Sequence, residues 1–519
     1  MSGSAPTPTS LALSTPQAGA TAAGQAAFER GGNAFDACLA AALSLTVIYP
    51  DNCALGGDLI ALVRRADGSR SVINASGPAA SDVDVEALRR SGASMPVTGA
   101  ETVTVPGLIG GLAMLWSNGG ALGWEDAFPE AIRQAREGVP VVPSLAASIA
   151  AEAECLARDP GCREIFFSDG RALQTGDVLR QPALARTLET LAADGQEAFY
   201  SGPIGRTLVA GLRSLGSHLT PADLAGFFPE SGPPLIGRLD GDQVATAPAN
   251  SQGFLLPPLL SAVDRLGEGL DPLGPDAGEL AKAFRAALSL RDEHLCDPAA
   301  TGLKPTLIPA DVDLLSMEAG VSRPPRANGD TVAIVAADDA GNTVSLLQSL
   351  FHSFGAEILE PETGILLHNR GSFFSLDPAS PNVIAGGKRP AHTLTPCTVF
   401  RDGLPQTVIA TMGGSGQPQI LLQILLRLRL GDTPARAVEA PRWVVGGLGA
   451  DDAPDQILVE EGVPEAAVRS LAKTGMPIRR LPDLDDSVGH SQLIVREPDG
   501  FIAASDPRSE GAAVVIKRR

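Results

Sequence analysis

The sequence predicts an α+β protein of stacked β-sheets with helices on the outside. Three observations predict it. Strand patterns and helix patterns fall in separate blocks instead of alternating strictly. Apolar strand runs are joined by tight turns, most sharply at Thr331–Leu347, where Gly341-Asn342 sits between two β-prone stretches. The segment Ala34–Thr46 is apolar nearly all round, so it belongs in a core.

A chain of 519 residues suggests two domains or one large multilayer domain. The 44% apolar and 19% charged content fits a globular protein. Lys and Arg total 40 against 60 Asp and Glu, a net charge of −20, so no footprint for nucleic acid or an anionic membrane is expected. The six cysteines (Cys38, Cys53, Cys155, Cys162, Cys296 and Cys397) make no CxxC pair and no zinc spacing. A reducing compartment is the expectation, with Cys155 and Cys162 close enough in sequence to meet. Met1–Gly19 has neither a basic nor an apolar leader region, and there is no long apolar run, so the expected location is the cytoplasm, with no membrane partner.

In chain order, residues 1–15 read as a loose lead-in and Pro16–Phe28 as an Ala-rich helix. Gly31-Gly32 turns into the helix at Ala34, with Asn33 or Asp36 as its cap. Gly56-Gly57 marks tight backbone or close approach before a strand at Leu59–Arg64, and Asp67-Gly68 turns into a second strand at Ser71–Ala75. Because the glycines precede a strand, a dinucleotide fingerprint is excluded. Residues 108–290 read as mostly helical, and 293–330 as a long surface segment. After the hairpin come strands at Gly364–His368 and Thr407–Thr411, and a helix at Ile420–Leu430 that Ala437 continues to Trp443. A helix at Pro464–Lys473 and a closing hairpin, Gln492–Val495 with Phe501–Ala504, end the chain. There is no internal repeat.

The candidate chemistry centres on Thr331, which opens its strand after a proline-rich lead-in. A threonine that becomes a new N-terminus carries its own base in the freed α-amine, whose ordinary pKa of about 7.7–8.0 suits that role. The six histidines join no GxSxG elbow. The run Met412–Gln419 follows a strand and precedes a helix, so its N–H groups can form an oxyanion hole. Arg370 and Arg389 can each grip a carboxylate through two N–H groups.

Together these segments resemble the γ-glutamyltransferase family of N-terminal-nucleophile hydrolases. The resemblance rests on Gly31–Ala37, Pro50–Gly57, Asp338–Ser345, Gly364–Asn369, Lys388-Arg389-Pro390 with Thr393 and Pro396, Ala440-Pro441-Arg442 and Ala504–Ser509, in the family's order. It implies a four-layer αββα sandwich with extra helices in the N-terminal part. It also implies a proenzyme that cuts itself between Asp330 and Thr331. The products are a large chain, 1–330, and a small chain, 331–519, which stay paired; a homodimer is compatible with the sequence. Thr331 is then the nucleophile, Ser349 a supporting hydroxyl, and Gly414, Ser415 and Gly416 the oxyanion hole. No metal or cofactor is implied.

The departures concern substrate. Val332 stands where the family usually has Thr, Phe351 where it has Asn, and Arg370 and Phe373 where a Gln and an Asp grip the γ-glutamyl amine. His392 and Thr393 replace its paired serines, and Asn74–Ala79 lacks its arginine. The pattern looks most like the branch that includes oxamate amidohydrolase. The expectation is an amidohydrolase acting on a small amide whose carboxylate Arg370 holds, with Phe351, Phe373, His392 and Thr393 around it. The rivals are a true γ-glutamyltransferase acting on glutathione and an unprocessed, non-catalytic family member.

Overall fold

The computed structural model describes residues 10–301, 312–317, 330–446, 453 and 455–517, with the backbone alone at Asp330. Most of the long surface segment expected at 293–330 lies outside the described residues, as do residues 1–9 of the lead-in.

From the N-terminus the sandwich strands are β1 (Ser10–Thr15), β2 (Asp58–Arg64), β3 (Arg70–Ala75), β4 (Glu230–Gly232), β5 (Leu235–Leu239), β6 (Asp242–Thr246), β7 (Asp330–Ala337), β8 (Thr343–Phe351), β9 (Cys397–Arg401), β10 (Leu404–Thr411), β11 (Ser491–Glu497), β12 (Gly500–Ser505) and β13 (Ala512–Lys517). A seven-stranded sheet runs β13-β1-β7-β8-β2-β3-β4, and a six-stranded sheet runs β12-β11-β10-β9-β6-β5. Both sheets mix strands from either side of Thr331, so the described residues before and after it are interlaced in one sandwich.

Alternation along β7 shows how the layers form. Ala333, Val335 and Ala337 pack with Leu347, Val408, Ala410 and Ile494 between the sheets. Val332, Ile334 and Ala336 pack on the opposite face, among the helices α1 (Ala18–Glu29), α2 (Ala34–Ile48) and α3 (Leu108–Gly119). The outer face of the other sheet is covered by α4 (Leu256–Leu266), α5 (Ala277–His294) and α6 (Gln417–Arg429). This is the αββα arrangement.

Asn33 and Asp36 both cap α2. Asn33 accepts from the Phe35 and Asp36 N–H groups, and Asp36 accepts from Asn33 N. Asp338 of the β7–β8 turn also accepts from Ala34 N at 3.1 Å, and its carboxylate holds Asn342 N at 2.9 Å. Two of the sequence motifs therefore meet and lock the hairpin to the N-terminus of α2.

Some expectations are corrected. Residues 10–15 are a buried strand, because β1 fills the slot between β13 and β7. The largely helical block hides the hairpin β5–β6, which forms one edge of the six-stranded sheet. The helix expected to run on to Trp443 ends at Arg429; Pro434–Glu439 is a separate helix and Trp443–Val445 a strand. All six cysteines are free, including Cys155 and Cys162.

Candidate active site

Thr331 pairs with Ser349 across the hairpin, and Ser349 pairs with Asp58 on β2. Side chains alternate along strands, so the row shares the face of Ala333, Leu347 and Ile60, between the two sheets. Thr331 is 1% exposed, and its hydroxyl donates to Ser349 Oγ at 3.2 Å. The Ser349 oxygen also accepts from Phe351 N at 2.8 Å. The register shifts between Asp330 and Thr331, a local irregularity at the expected scissile bond. Gly57 is required behind this row: a Cβ there would lie 2.6 Å from Ser349 O.

The glycine run leaves β10, a strand of the opposite sheet, and enters α6 through a tight turn at Gly414–Gly416. Gly413 takes φ +132, and a Cβ on it would meet Ile420 Cδ1 at 2.4 Å. Gln252 Nε2 holds Gly414 O at 2.8 Å and Thr393 O at 2.8 Å. The late motifs brace the same place. Arg442 donates to Gly489 O at 2.7 Å, and Gly489 lies against Met412 and Gly413. Arg442 is in turn paired with Asp506, and Arg508 with Glu460 and Asp506. These two arginines position the turn from within the core.

Asp58, which nothing in the sequence singled out, organises the other end of the row. It is fully buried and accepts from Arg370 Nε at 2.8 Å and Nη2 at 3.2 Å. His392 Nε2 approaches the same carboxylate at 2.8 Å and His368 Nδ1 at 3.6 Å. Burial alone would raise the Asp58 pKa, but Arg370 and His392 overcome it and hold the carboxyl well below its usual range. Burial, then Arg370, push His392 down to about 4. Leu394 N donates to His392 Nδ1 at 3.3 Å, which puts the proton of the neutral ring on Nε2, facing Asp58.

Arg370 is therefore not the open cation expected, because its charge is already met by Asp58. Its Nη1 is buried without a partner, and its guanidinium stacks over the Phe351 ring at 4.3 Å. Phe351 has φ +82, and its ring also lies 4.2 Å from His352 and 5.2 Å from Phe373. His352 was not anticipated either. Asn369 Nδ2 donates to its Nδ1 at 2.9 Å, leaving Nε2–H buried and unpartnered. Burial, then Arg370, lower the His352 pKa to about 3. Arg389 is not open to a substrate: it bonds Asp297 at 3.0 Å and Glu230 at 2.6 Å. The site thus brings together Thr331, Ser349, Phe351, Arg370, Phe373 and His392, while Thr393 contributes a buried carbonyl under the glycine run.

Among the described residues, Glu152, Cys155 and Glu357 are the one set whose ligating atoms lie within 4.8 Å of one another. That set is partly exposed and shares no residue with the Thr331 row. No helix among the described residues is long and apolar enough to cross a membrane.

A family model described as gamma-glutamyltranspeptidase matches residues 20–516. The chain belongs to this family. The oxamate amidohydrolase proenzyme of Klebsiella pneumoniae is 34% identical over 94% of this chain and 95% of its own length. The glutathione hydrolase-like YwrD proenzyme of Bacillus subtilis is 33% identical over 96% and 97%. The crystal structure of cephalosporin acylase from Bacillus halodurans superposes with a TM-score of 0.88 at 30% identity, covering 98% of this chain and 96% of that one. The chain is thus an enzyme of an N-terminal-nucleophile hydrolase family, with that family's fold.

Proposed function

We propose that the chain is a self-processing amidohydrolase that cuts before Thr331 and uses that residue as its N-terminal nucleophile. The observation that carries this reading is the Thr331–Ser349 hydroxyl pair, at 3.2 Å, where the β7 register shifts. In the uncut chain the Thr331 nitrogen is an amide and cannot act as a base. Cleavage of the Asp330–Thr331 bond converts it to an amine that takes the Oγ1 proton as the oxygen attacks the substrate carbonyl. The N–H groups of Gly414 and Ser415 stabilise the resulting oxyanion, whereas the Gly416 N–H, also expected there, is taken by Gly413 O at 2.8 Å within the turn. The amine returns the proton to the leaving nitrogen, and water then hydrolyses the ester on Thr331. Ser349 orients the hydroxyl. Chains 1–330 and 331–519 remain joined because their strands are interlaced in both sheets.

The substrate we infer is a small amide whose acyl group ends in a carboxylate, of the kind named for the Klebsiella pneumoniae relative. Two strand spacings, roughly 10 Å, separate the Thr331 and Asp58 strands, and the Arg370 guanidinium, forked by Asp58, stacks over the Phe351 ring of the strand between them. Among the described residues the acid at this end of the row is Asp58, and it is committed to Arg370 and His392 instead of being open to a substrate ammonium. An unpaired buried ammonium is costly, so a zwitterionic γ-glutamyl group is disfavoured.

Incubating the purified protein with oxamate, glutaryl amides and glutathione, and measuring released ammonia or amine, tests this. Turnover of glutathione alone would overturn the substrate. A chain that stays uncut and inactive on storage would overturn the mechanism and leave a non-catalytic family member.

A further inference from the structure

We propose that the cavity behind Phe351 is a second subsite of the Thr331 centre, built for the distal anionic end of an extended acyl group. The proposal rests on the amidohydrolase reading above and enlarges its substrate class. The cavity has a volume of about 410 Å³ and is lined by Phe351, Phe373, Ser372, Arg291 and Asn382, among others. Pockets of this size enclose ligands well beyond the few heavy atoms of oxamate.

Two buried polar groups on this wall have no partner. Arg291, in the last turn of α5, is 4% exposed; its Nε and Nη2 both donate to Asp292 Oδ1, at 3.0 and 2.8 Å, and its Nη1 is buried and unpaired. Ser372 is 5% exposed, and its Oγ is also unpaired. Buried polar groups in folded proteins are nearly always hydrogen-bonded, so two unpaired groups on one cavity mark where acceptor oxygens dock. Of the acids on the wall, Asp292 is bound to Arg291, and exposed Asp377 accepts from Ala379 N at 2.9 Å.

The cavity is preformed and adjoins the acyl site. Asn382 donates to Phe373 O at 2.8 Å and accepts from Ala391 N at 3.0 Å, while Lys388 Nζ ties Pro381 O and Val383 O at 2.7 and 2.9 Å. The short turn Arg370–Phe373 serves both sides: Arg370 engages Asp58, and Ser372 and Phe373 line the cavity. Phe351 is common to both, with Arg370 over its ring and Phe373 beside it. A flat or aliphatic segment passing these rings would end in a carboxylate on Arg291 Nη1 and Ser372 Oγ.

The test uses the processed enzyme and the monoamides oxamate, adipamate and terephthalamate, with ammonia release as the readout. In Arg291→Met, kcat/KM for the two long monoamides is expected to fall roughly tenfold more than for oxamate, mainly through KM, as for one lost charged hydrogen bond. Ser372→Ala shifts the ratio in the same direction by less and serves where Arg291→Met fails to fold. An equal effect on all three substrates, or none, overturns the proposal. Titrating terephthalate, which has no amide to hydrolyse, separates this subsite from the catalytic reading. Binding weakened roughly tenfold by Arg291→Met supports the subsite even if no amide is turned over. Absent or unchanged binding overturns it. If the Arg291 effect is confined to 4-acetamidobenzoate, whose carboxylate is on the amine side, the cavity serves the leaving group and the acyl assignment falls.

Discussion

Asp58 forks Arg370 in the interior: two guanidinium nitrogens lie 2.8 and 3.2 Å from its carboxylate oxygens, and both side chains are fully buried. The pair leaves one guanidinium nitrogen, Nη1, buried without a partner. An arginine neutralised in this way binds by shape and hydrogen bonding more than by net charge.

Breaking that pair from one side strands a buried charge. Asp58→Asn is expected to lower the free energy of unfolding by about 3–5 kcal/mol. Arg370→Met alone should cost a similar amount. The double variant should recover more than half of the sum, since neither charge is left alone. Urea unfolding of the three variants checks this. Additive losses would mean that the two groups are not coupled.

Processing gives a simpler readout. Thr331→Ala is expected to run as one uncut band on a denaturing gel, while Thr331→Ser still yields fragments of 330 and 189 residues, from 519 − 330 = 189. Ser349→Ala removes one neutral hydrogen bond to the proposed nucleophile, so cleavage should slow roughly tenfold without stopping. Complete cleavage of Thr331→Ala would remove Thr331 from the mechanism.

The sequence made the hairpin and the sandwich legible because those signals are local. Gly341-Asn342 shapes a turn within its own strand pair, and Asn33 with Asp36 caps a helix within one turn. Asp58 was not legible, because its partners Arg370 and His392 are 312 and 334 residues away. Only the closed sandwich brings them together. The same holds for Phe351, whose φ of +82 no aromatic residue advertises, and for Arg370, read as an open cation because a sequence does not show its counter-ion. The β5–β6 hairpin was missed because it is short and sits inside a helical block.

Gly413 is expected to tolerate no side chain. Gly413→Ala places a Cβ against Ile420 Cδ1 and keeps φ at +132, a region costing about 1–3 kcal/mol for other residues. The expected result is a lower unfolding midpoint and a larger loss of kcat than of substrate binding, since the turn carries the proposed oxyanion donors. Ile420→Ala in the same chain relieves the contact but not the backbone, so it should restore stability only in part. Full recovery of kcat in the double variant would show that contact alone, and not the turn's conformation, is what matters.

Stability should fall as the solution is acidified from pH 7 to 5. His352, His392 and His490 have folded pKa values near 3, 4 and 4, each lowered first by burial, against about 6.5 when unfolded. Between those limits the unfolded chain binds protons that the folded chain refuses, so each ring contributes a loss of about 1.4 kcal/mol per pH unit as pH drops. Asp51 acts in the opposite sense. Burial raises its pKa to about 6, so below that pH the folded chain holds a proton the unfolded chain lacks, which offsets one of the three rings. Because each unfolded ring is only half protonated at about pH 6.5, the loss steepens as pH falls and is greatest, at about two protons' worth, around pH 5 to 5.5. Asp58, held low by Arg370 and His392 against its burial, adds its own loss only below its ordinary value of about 3.9. Urea unfolding at stepped pH measures the slope, and His352→Gln should flatten it by about one proton's worth. An unchanged slope in that variant would mean that His352 is not held neutral in the folded chain.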